Sequence, residues 1–307
     1  MIRFNISLIA AATLAVGLCA VAAPARADAF MDGVKAEVVK FAGPQSDWRG
    51  PTSAPKPDSG KLIVYMSTDE QNDASREWGQ AIQEAGAKIG WKVVIVDGHG
   101  TPVGWQQGLN QAIALKADGI VTNADAASLK PIIMDANDKG IVVVGIHATA
   151  FPGPQPDVGL FVNIQQDPRD IGRAQADWII ENSNGKARVV VTSHCEYAIA
   201  CAKAHATEAR IKECPGCQVL EFNSSPIAEV AQRQSPLVTA SEPYKMQGYQ
   251  AIDELNRAFH KMPPSGFVQT PYLVTPQNIH AEGGDKNTFI PSNNYEQHYL
   301  ALWGVKS

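Results

Sequence analysis

Beyond its first two dozen residues the chain holds no apolar run near the ~20 residues that a membrane-spanning helix needs. It holds no G-x-S-x-G elbow, no H-E-x-x-H pair and no glycine-rich phosphate loop. The nucleophile, zinc-peptidase and nucleotide-cradling arrangements that these patterns announce are therefore excluded. Positive charge is also short: 26 Lys and Arg stand against 31 Asp and Glu, for a formal net charge of −5. A mildly acidic chain makes a poor nucleic-acid surface and a poor anionic-membrane surface. Cysteine is scarce at five residues in 307, yet four of the five crowd into positions 195–217. Whether that crowd is a zinc site, a redox centre or a staple depends on the compartment.

The N-terminus supplies the compartment. Arg3 is followed by an apolar run over 6–23 and then Ala25-Arg26-Ala27. A short cationic start, a hydrophobic middle and small residues at the exit form a secretory signal peptide, with cleavage expected after Ala27. A membrane anchor is the competing reading, since the run is a little short of spanning length. Cys19 follows the bulky Leu18, which disfavours lipid attachment there, so a soluble exported protein is expected in the periplasm. Removing residues 1–27 takes away two arginines and no acids, moving the net charge to −7.

Exported chains keep disulfides, and the mature chain keeps an even number of cysteines. Cys195 and Cys201 are six apart, and Cys214-Pro-Gly-Cys217 is a C-x-x-C. Two local bridges, 195 to 201 and 214 to 217, are the simplest of the three possible pairings. A metal site would recruit His194 or His205, but C-x5-C followed by C-x2-C is not a usual zinc spacing. A thioredoxin-like role needs the C-x-x-C just after a strand, at a helix N-terminus. Here it follows a helical stretch and leads into a strand-like one, so the structural reading is preferred over metal and redox.

From Lys61 a rhythm sets in. KLIVYMS (61–67), WKVVIVD (91–97), GIVTN (119–123) and IVVVGI (141–146) are short apolar runs of β character. Between them, 73–90, 104–116 and 128–140 carry apolar residues at helical spacing. This alternation predicts a parallel sheet covered on both faces. After the Pro- and Gly-rich 147–159 the rhythm resumes with LFVNI (160–164), a helix over 167–182, ARVVVTS (187–193), a helix over 198–213 and QVLEF (218–222). A last helix, 245–261, precedes an extended 265–279. The expected class is α/β, with two doubly wound parallel-sheet lobes joined by a hinge.

At VYMSTDEQNDASREWGQAIQEAGAKIGWKVVIVDG, at QAIALKADGIVTNADAASLKPIIMDANDKGIVVVGIHA, at LFVNIQQDPRDIGRAQADWIIE and at SEPYKMQGYQAIDELNRAF, the chain resembles the periplasmic solute-binding proteins of sugar-type ABC transporters, the ribose-binding-like type I class. The ordered series covers 61–222 and 242–279. The resemblance implies two lobes that close on a small polar solute, a sugar or related polyol, and present it to an inner-membrane permease. No catalysis, cofactor, metal or nucleic acid is implied. A solute sensor feeding a membrane receptor is the alternative with the same lobes, and a thiol- or zinc-dependent periplasmic enzyme around 194–217 the more distant one. The implied boundaries are a signal peptide at 1–27, an N-terminal arm at 28–60, a first lobe from 61–147 plus 243–272 and a second from 148–242 plus 273–307. In the resemblance LFVNI opens the second lobe.

Ligands of open parallel sheets sit beyond the carboxyl ends of the strands. The residues there are Asp69, Glu70, Gln71, Asn72, Asn123, Asp125 and His147 in the first lobe. His194, Glu196 and Tyr197 follow in the second, with Glu242 before the return helix. Carboxylates, amides and an aromatic tip suit a polyhydroxylated solute. For Asp125 and Asp167, helix capping is the favoured role. His147 stands where the family places an acidic sugar-binding residue, and is equally readable as a hinge histidine. Trp105 is readable as a stacking face or as core.

The departures from the family pattern matter. Asp73 and Ala74 occupy the places where two aromatics often stack on the sugar, and Ala148 replaces an arginine after the fourth strand. PLVTA (236–240) runs straight into Ser241-Glu242-Pro243, where the family would first insert further helix–strand units. By usual α/β unit lengths about 50 to 60 residues are missing, so the second lobe is expected to be reduced and its solute binding weak.

Overall fold

The computed structural model describes residues 22–193, 195, 197–224, 239–286 and 288–305. A six-stranded sheet organises most of the chain. Strands β1 (Leu62–Ser67), β2 (Lys92–Asp97), β3 (Gly119–Thr122), β4 (Val142–Ile146), β5 (Gly153–Gln155) and β6 (Leu160–Ile164) lie in the order β2-β1-β3-β4-β6-β5. All neighbours run parallel except β5, which turns back antiparallel on β6. Strand β1 is buried on both faces, which is why LIVYM reads as a continuous apolar run rather than an alternating one.

The period of two then sorts its side chains. Ile63 and Tyr65 join a core with Trp78, Ile82, Ile252 and Leu255, under helices α2 (Asp73–Lys88) and α7 (Tyr244–Phe259). Val64 and Met66 join Leu109, Ala112, Leu129 and Ile133, under α3 (Pro102–Ala114) and α4 (Ala126–Asp138). Full burial of each large aliphatic side chain contributes about 1.5–3 kcal/mol. Gly248 sets how closely α7 approaches α2, since a Cβ there would stand 2.5 Å from the Ala81 Cβ. The short helix α8 (Tyr295–Leu302) seals α7 with Tyr299 and Trp303 packed around Tyr249.

A second unit follows β6. It comprises α5 (Pro168–Asn182), β7 (Arg188–Ser193), α6 (Ala198–Glu213) and β8 (Gln218–Ser224). Among the described residues its parallel sheet has the two strands β7 and β8 alone. Helix α1 (Ala22–Ala42) lies on this unit, with Val34 buried against Ala176, Ile180 and Ile211. The seam expected after QVLEF falls largely in 225–238, outside the described residues. The chain reappears in β9 (Thr239–Ser241), which pairs antiparallel with β10 (Tyr272–Val274).

Three placements differ from the sequence expectation. LFVNI was expected to open the second lobe; it is β6, seated beside β4 with Val162 opposite Val144. The reason is burial: Leu160, Val162 and Ile164 are each 5% exposed or less inside the cores of the first sheet. The crossover therefore comes after Ile164, not at 147. Residues 295–303, expected in the second lobe, pack on α7 of the first for the same reason. The expected arm is also more embedded than an extended tether. Trp48 stacks on His298 and meets Tyr299 edge-on, while Arg257 and Asn256 of α7 hold the carbonyls of Ser53 and Pro55.

Candidate functional site at the hinge

Gln166 ties the crossings between the two units together. It is fully buried, and its Nε2 donates to the carbonyls of Ser241 (3.3 Å) and Thr270 (3.0 Å). Three chain passages thus share one side chain. Just before it, Asn163 and Gln165 hold the loop after β4. The Asn163 Oδ1 accepts from Ala148 N (2.9 Å), and its Nδ2 donates to Phe151 O (2.9 Å) and Gln165 Oε1 (2.8 Å). Asn163 and Gln165 are buried amides satisfied by the chain itself, as buried polar groups require, whereas the Gln166 Oε1 has no partner among the described residues.

Against this hinge a charged cluster forms around Glu242, which is 6% exposed. Its Oε2 lies 2.5 Å from His147 Nε2 and accepts from Gln247 Nε2 at 3.1 Å, while Oε1 accepts from Lys203 Nζ at 2.9 Å. His147 stands one residue past β4, Lys203 lies on α6 of the second unit, and Glu242 stands in the return crossing. One carboxylate therefore links both units. Burial by itself pushes the Glu242 carboxyl up, but attraction to His147 and Lys203 outweighs it and holds the group well below the ordinary carboxylate range. Trp78 supports the cluster. Its indole N–H donates to Gln247 Oε1 (2.6 Å), and its ring meets those of His147 and Tyr244 edge-on, each at 5.2 Å. Burial, followed by the charges of Glu242 and Glu77, pushes the Tyr244 phenol up to about 12.

The expected ligand residues divide by task. Asn123 is consumed at the exit of β1: it accepts from Thr68 N (2.8 Å) and donates to Thr68 Oγ1 and Ser75 Oγ (both 2.9 Å). Asn72 and Asp125 cap α2 and α4 through Ser75 N and Ser128 N, and Asp167 caps α5 through Arg169 N. Asp69 closes a turn through Gln71 N, and the Gln71 carbonyl takes Arg76. Trp105 donates to the Thr68 carbonyl. Glu70 is different: its backbone N–H bonds Asp97, but its buried Oε1 has no partner among the described residues. Beneath it the buried Tyr65 phenol has the Ser67 and Ser75 hydroxyls within hydrogen-bonding reach. Tyr197 is half-exposed beside the start of α6. His194 and Glu196 lie outside the described residues.

Lys203, Gln247, Trp78 and Gln166 were not among the sequence candidates. Lys203 sits in the alanine-rich run of α6, where nothing local marks it. The cysteines stand at bonding distance as Cys195–Cys201 and Cys214–Cys217, the pairing expected from spacing. Cys214 caps the C-terminus of α6, the end whose dipole disfavours a thiolate. His205 stacks on Phe222 instead of joining the cysteines. Among the described residues no group of three or more His, Cys, Asp or Glu is placed to hold a metal ion. No helix among them is long and apolar enough to cross a membrane.

The family model described as "Periplasmic binding protein domain" matches residues 63–254, from β1 through most of α7. This chain belongs to the periplasmic binding protein family. No protein with a curated description matches it by sequence. Solved structures share its fold. A sugar ABC transporter protein from Yersinia enterocolitica is 17% identical, with 82% of this chain and 99% of that one covered at a TM-score of 0.61. A solute binding protein from Bacillus halodurans with bound myo-inositol is 14% identical, covering 75% and 99% at 0.61. Another from Burkholderia graminis, in complex with D-arabinose, is 13% identical, covering 74% and 99% at 0.62. At these identities the likeness establishes the fold of this periplasmic binding protein, a type I arrangement with a parallel-sheet core. Family and neighbours are binding proteins, and the family's compartment is the periplasm.

Proposed function

We propose that this periplasmic binding protein is the substrate-binding component of an ABC importer. It takes a small polar solute, a sugar or related polyol, between its two lobes and delivers it to an inner-membrane permease. The observation that carries the reading is the buried Glu70 Oε1, which stands just past the carboxyl end of β1 and has no partner among the described residues. Buried polar groups are almost always paired, so an unpartnered carboxylate oxygen at a strand exit is a position for a hydroxyl group of a ligand. Glu70 is the ligand-facing acid in this reading. Asn123, Asn72 and Asp125 shape the site by holding backbone, and Gln71, Asp69 and Tyr197 stand at its margin. Glu242, His147 and Lys203 form the floor where the lobes meet. Among the described residues the second lobe offers the ends of two parallel strands, β7 and β8, so weak binding is expected. Export with cleavage after Ala27 places the protein in the periplasm, and intact-mass analysis of periplasmic material checks it.

The test is a thermal-shift screen of the mature protein against sugars, polyols and small organic acids. A ligand that binds only the native state raises the midpoint by mass action. A neutral polyol should raise it, and Glu70→Ala should abolish the shift. No shift from any neutral polyol, or a full shift retained in Glu70→Ala, would sink the reading.

A further inference from the structure

The far end of the first sheet, some six β-residues or about 20 Å from the strand exits, carries a second concavity. Its volume is about 760 Å³. Ile113, Ile141, Val142 and the Phe259 ring form an apolar floor, and Lys61, Lys116, Lys139 and Lys261 form the rim. Asp118 is the one acid in the lining, so four ammonium groups face one carboxylate in a chain whose overall charge is negative.

Three helices end here, and all three end alike. Ala117 N bonds Ala112 O (3.3 Å) after α3, Ile141 N bonds Ala136 O (3.0 Å) after α4, and Met262 N bonds Arg257 O (2.9 Å) after α7. With the inner bonds Lys116 N to Ile113 O, Gly140 N to Asn137 O and Lys261 N to Ala258 O, these are three Schellman closures. The closing residue of such a motif takes a left-handed backbone, which favours glycine. Gly140 obeys, at φ 79°. Lys116 and Lys261 take the same conformation at φ 54° and 57°, with a Cβ that costs about 1 kcal/mol or more. Lysine at a helix C-terminus is favoured by the dipole, but any position in the last turn provides that benefit. Dipole compensation therefore does not account for lysine at the strained position twice around one cavity.

The amines are also unequal. Lys61 Nζ lies 3.5 Å from Asp118 and 5.1 Å above the Phe259 ring, and Lys139 pairs with Asp135. Lys116 and Lys261 have no side-chain partner among the described residues. We propose that this basal cavity is a second binding site, taking a small organic anion with an apolar body such as an aromatic carboxylate. The apolar part lies on Phe259, Ile113 and Ile141, and the anionic group sits between the amines of Lys116 and Lys261. The site belongs wholly to the first lobe and is separate from the cleft, so its occupancy does not compete with the transported solute.

Calorimetry on the mature protein with 1-naphthoate, neutral 1-naphthalenemethanol and inorganic phosphate tests this. Naphthoate should bind with one-to-one stoichiometry, and each of the other two at least tenfold more weakly. In Lys116→Gly/Lys261→Gly the naphthoate Kd should rise tenfold or more while the ligand-free unfolding midpoint rises, because the backbone strain is relieved. Lys116→Gln/Lys261→Gln, which keeps the strain, should lose the same affinity without that stabilisation. Absence of naphthoate binding at millimolar concentration overturns the proposal. So does equal binding of the neutral alcohol, or an unchanged Kd in both double variants.

Discussion

Replacing Glu242 by glutamine tests the hinge cluster directly. Three donors, from His147, Lys203 and Gln247, converge on two carboxylate oxygens at 2.5, 2.9 and 3.1 Å. Glutamine offers one acceptor oxygen, and its NH2 group must face a donor. Lys203, at 27% side-chain exposure, then loses its counter-charge, and His147, at 18%, loses its carboxylate partner. Removing one partner of a buried ion pair costs about 3–5 kcal/mol. The residual exposure of Lys203 places the expected loss near the lower figure, about 3 kcal/mol. For a chain of this size that lowers the midpoint by about 5 °C. The pH dependence follows from the direction of the shift. The Glu242 carboxyl is held below its ordinary value in the folded state. Its stabilisation is therefore complete above the unfolded pKa of ~4.3 and declines as pH falls toward the folded value. Urea unfolding of wild type and Glu242→Gln at pH 7 and pH 3 should show a gap that narrows on acidification. Adding Lys203→Met to Glu242→Gln should restore part of the loss, since it removes one stranded charge. A variant within 1 kcal/mol of wild type at pH 7, or a gap that widens at pH 3, refutes the reasoning.

Three further expectations are independent of the hinge. Denatured but unreduced mature protein should show no free thiol, and Cys195→Ser/Cys201→Ser should lose about 2 kcal/mol, the loop-entropy value for so short a bridge; four titratable thiols would contradict the pairing. Asp177→Ala should cost about 3 kcal/mol in urea titrations, because Asp177 and Arg210 pair at 2.6 Å with side chains 1% and 9% exposed. A cost under 1 kcal/mol would mean that Glu213, which also pairs with Arg210, balances the charge by itself. Asn163→Ala should destabilise by about 2–3 kcal/mol, leaving Ala148 N and Phe151 O without their partner, and the loss should appear as faster amide exchange confined to 147–165.

The candidate site was legible only in its backbone-facing half. Asp125 and Asp167 were readable as caps because a cap is a local event, complete within three residues, whereas Asn72, expected to face a ligand, caps α2 instead. Asn123 was expected to face a ligand, yet its three bonds hold Thr68 and Ser75, about fifty residues away in sequence. The position of Glu242 was noticed, but its partners were not. The His147 contact spans 95 residues and the Lys203 contact 39, and no spacing rule reaches that far.

By itself the sequence determined the α/β rhythm and the burial of β1, placed the helix starts within two residues, and favoured the local cysteine pairing among three. All of these arise from contacts a few residues apart, so a period of two, a period near 3.6 or a short covalent loop announces them. Tertiary structure alone decided that LFVNI completes the first sheet and that α8 returns to α7. An apolar strand or helix fits either lobe by pattern, and only the free burial space beside β4 and α7 chooses between them. It alone also decided that one buried carboxylate gathers His147 and Lys203 across the hinge, and that three helix ends meet around a lysine-rimmed cavity. Charges distant along the chain find each other only after the sheets have packed, because their attraction carries no mark in local sequence and is strong only where packing has excluded water.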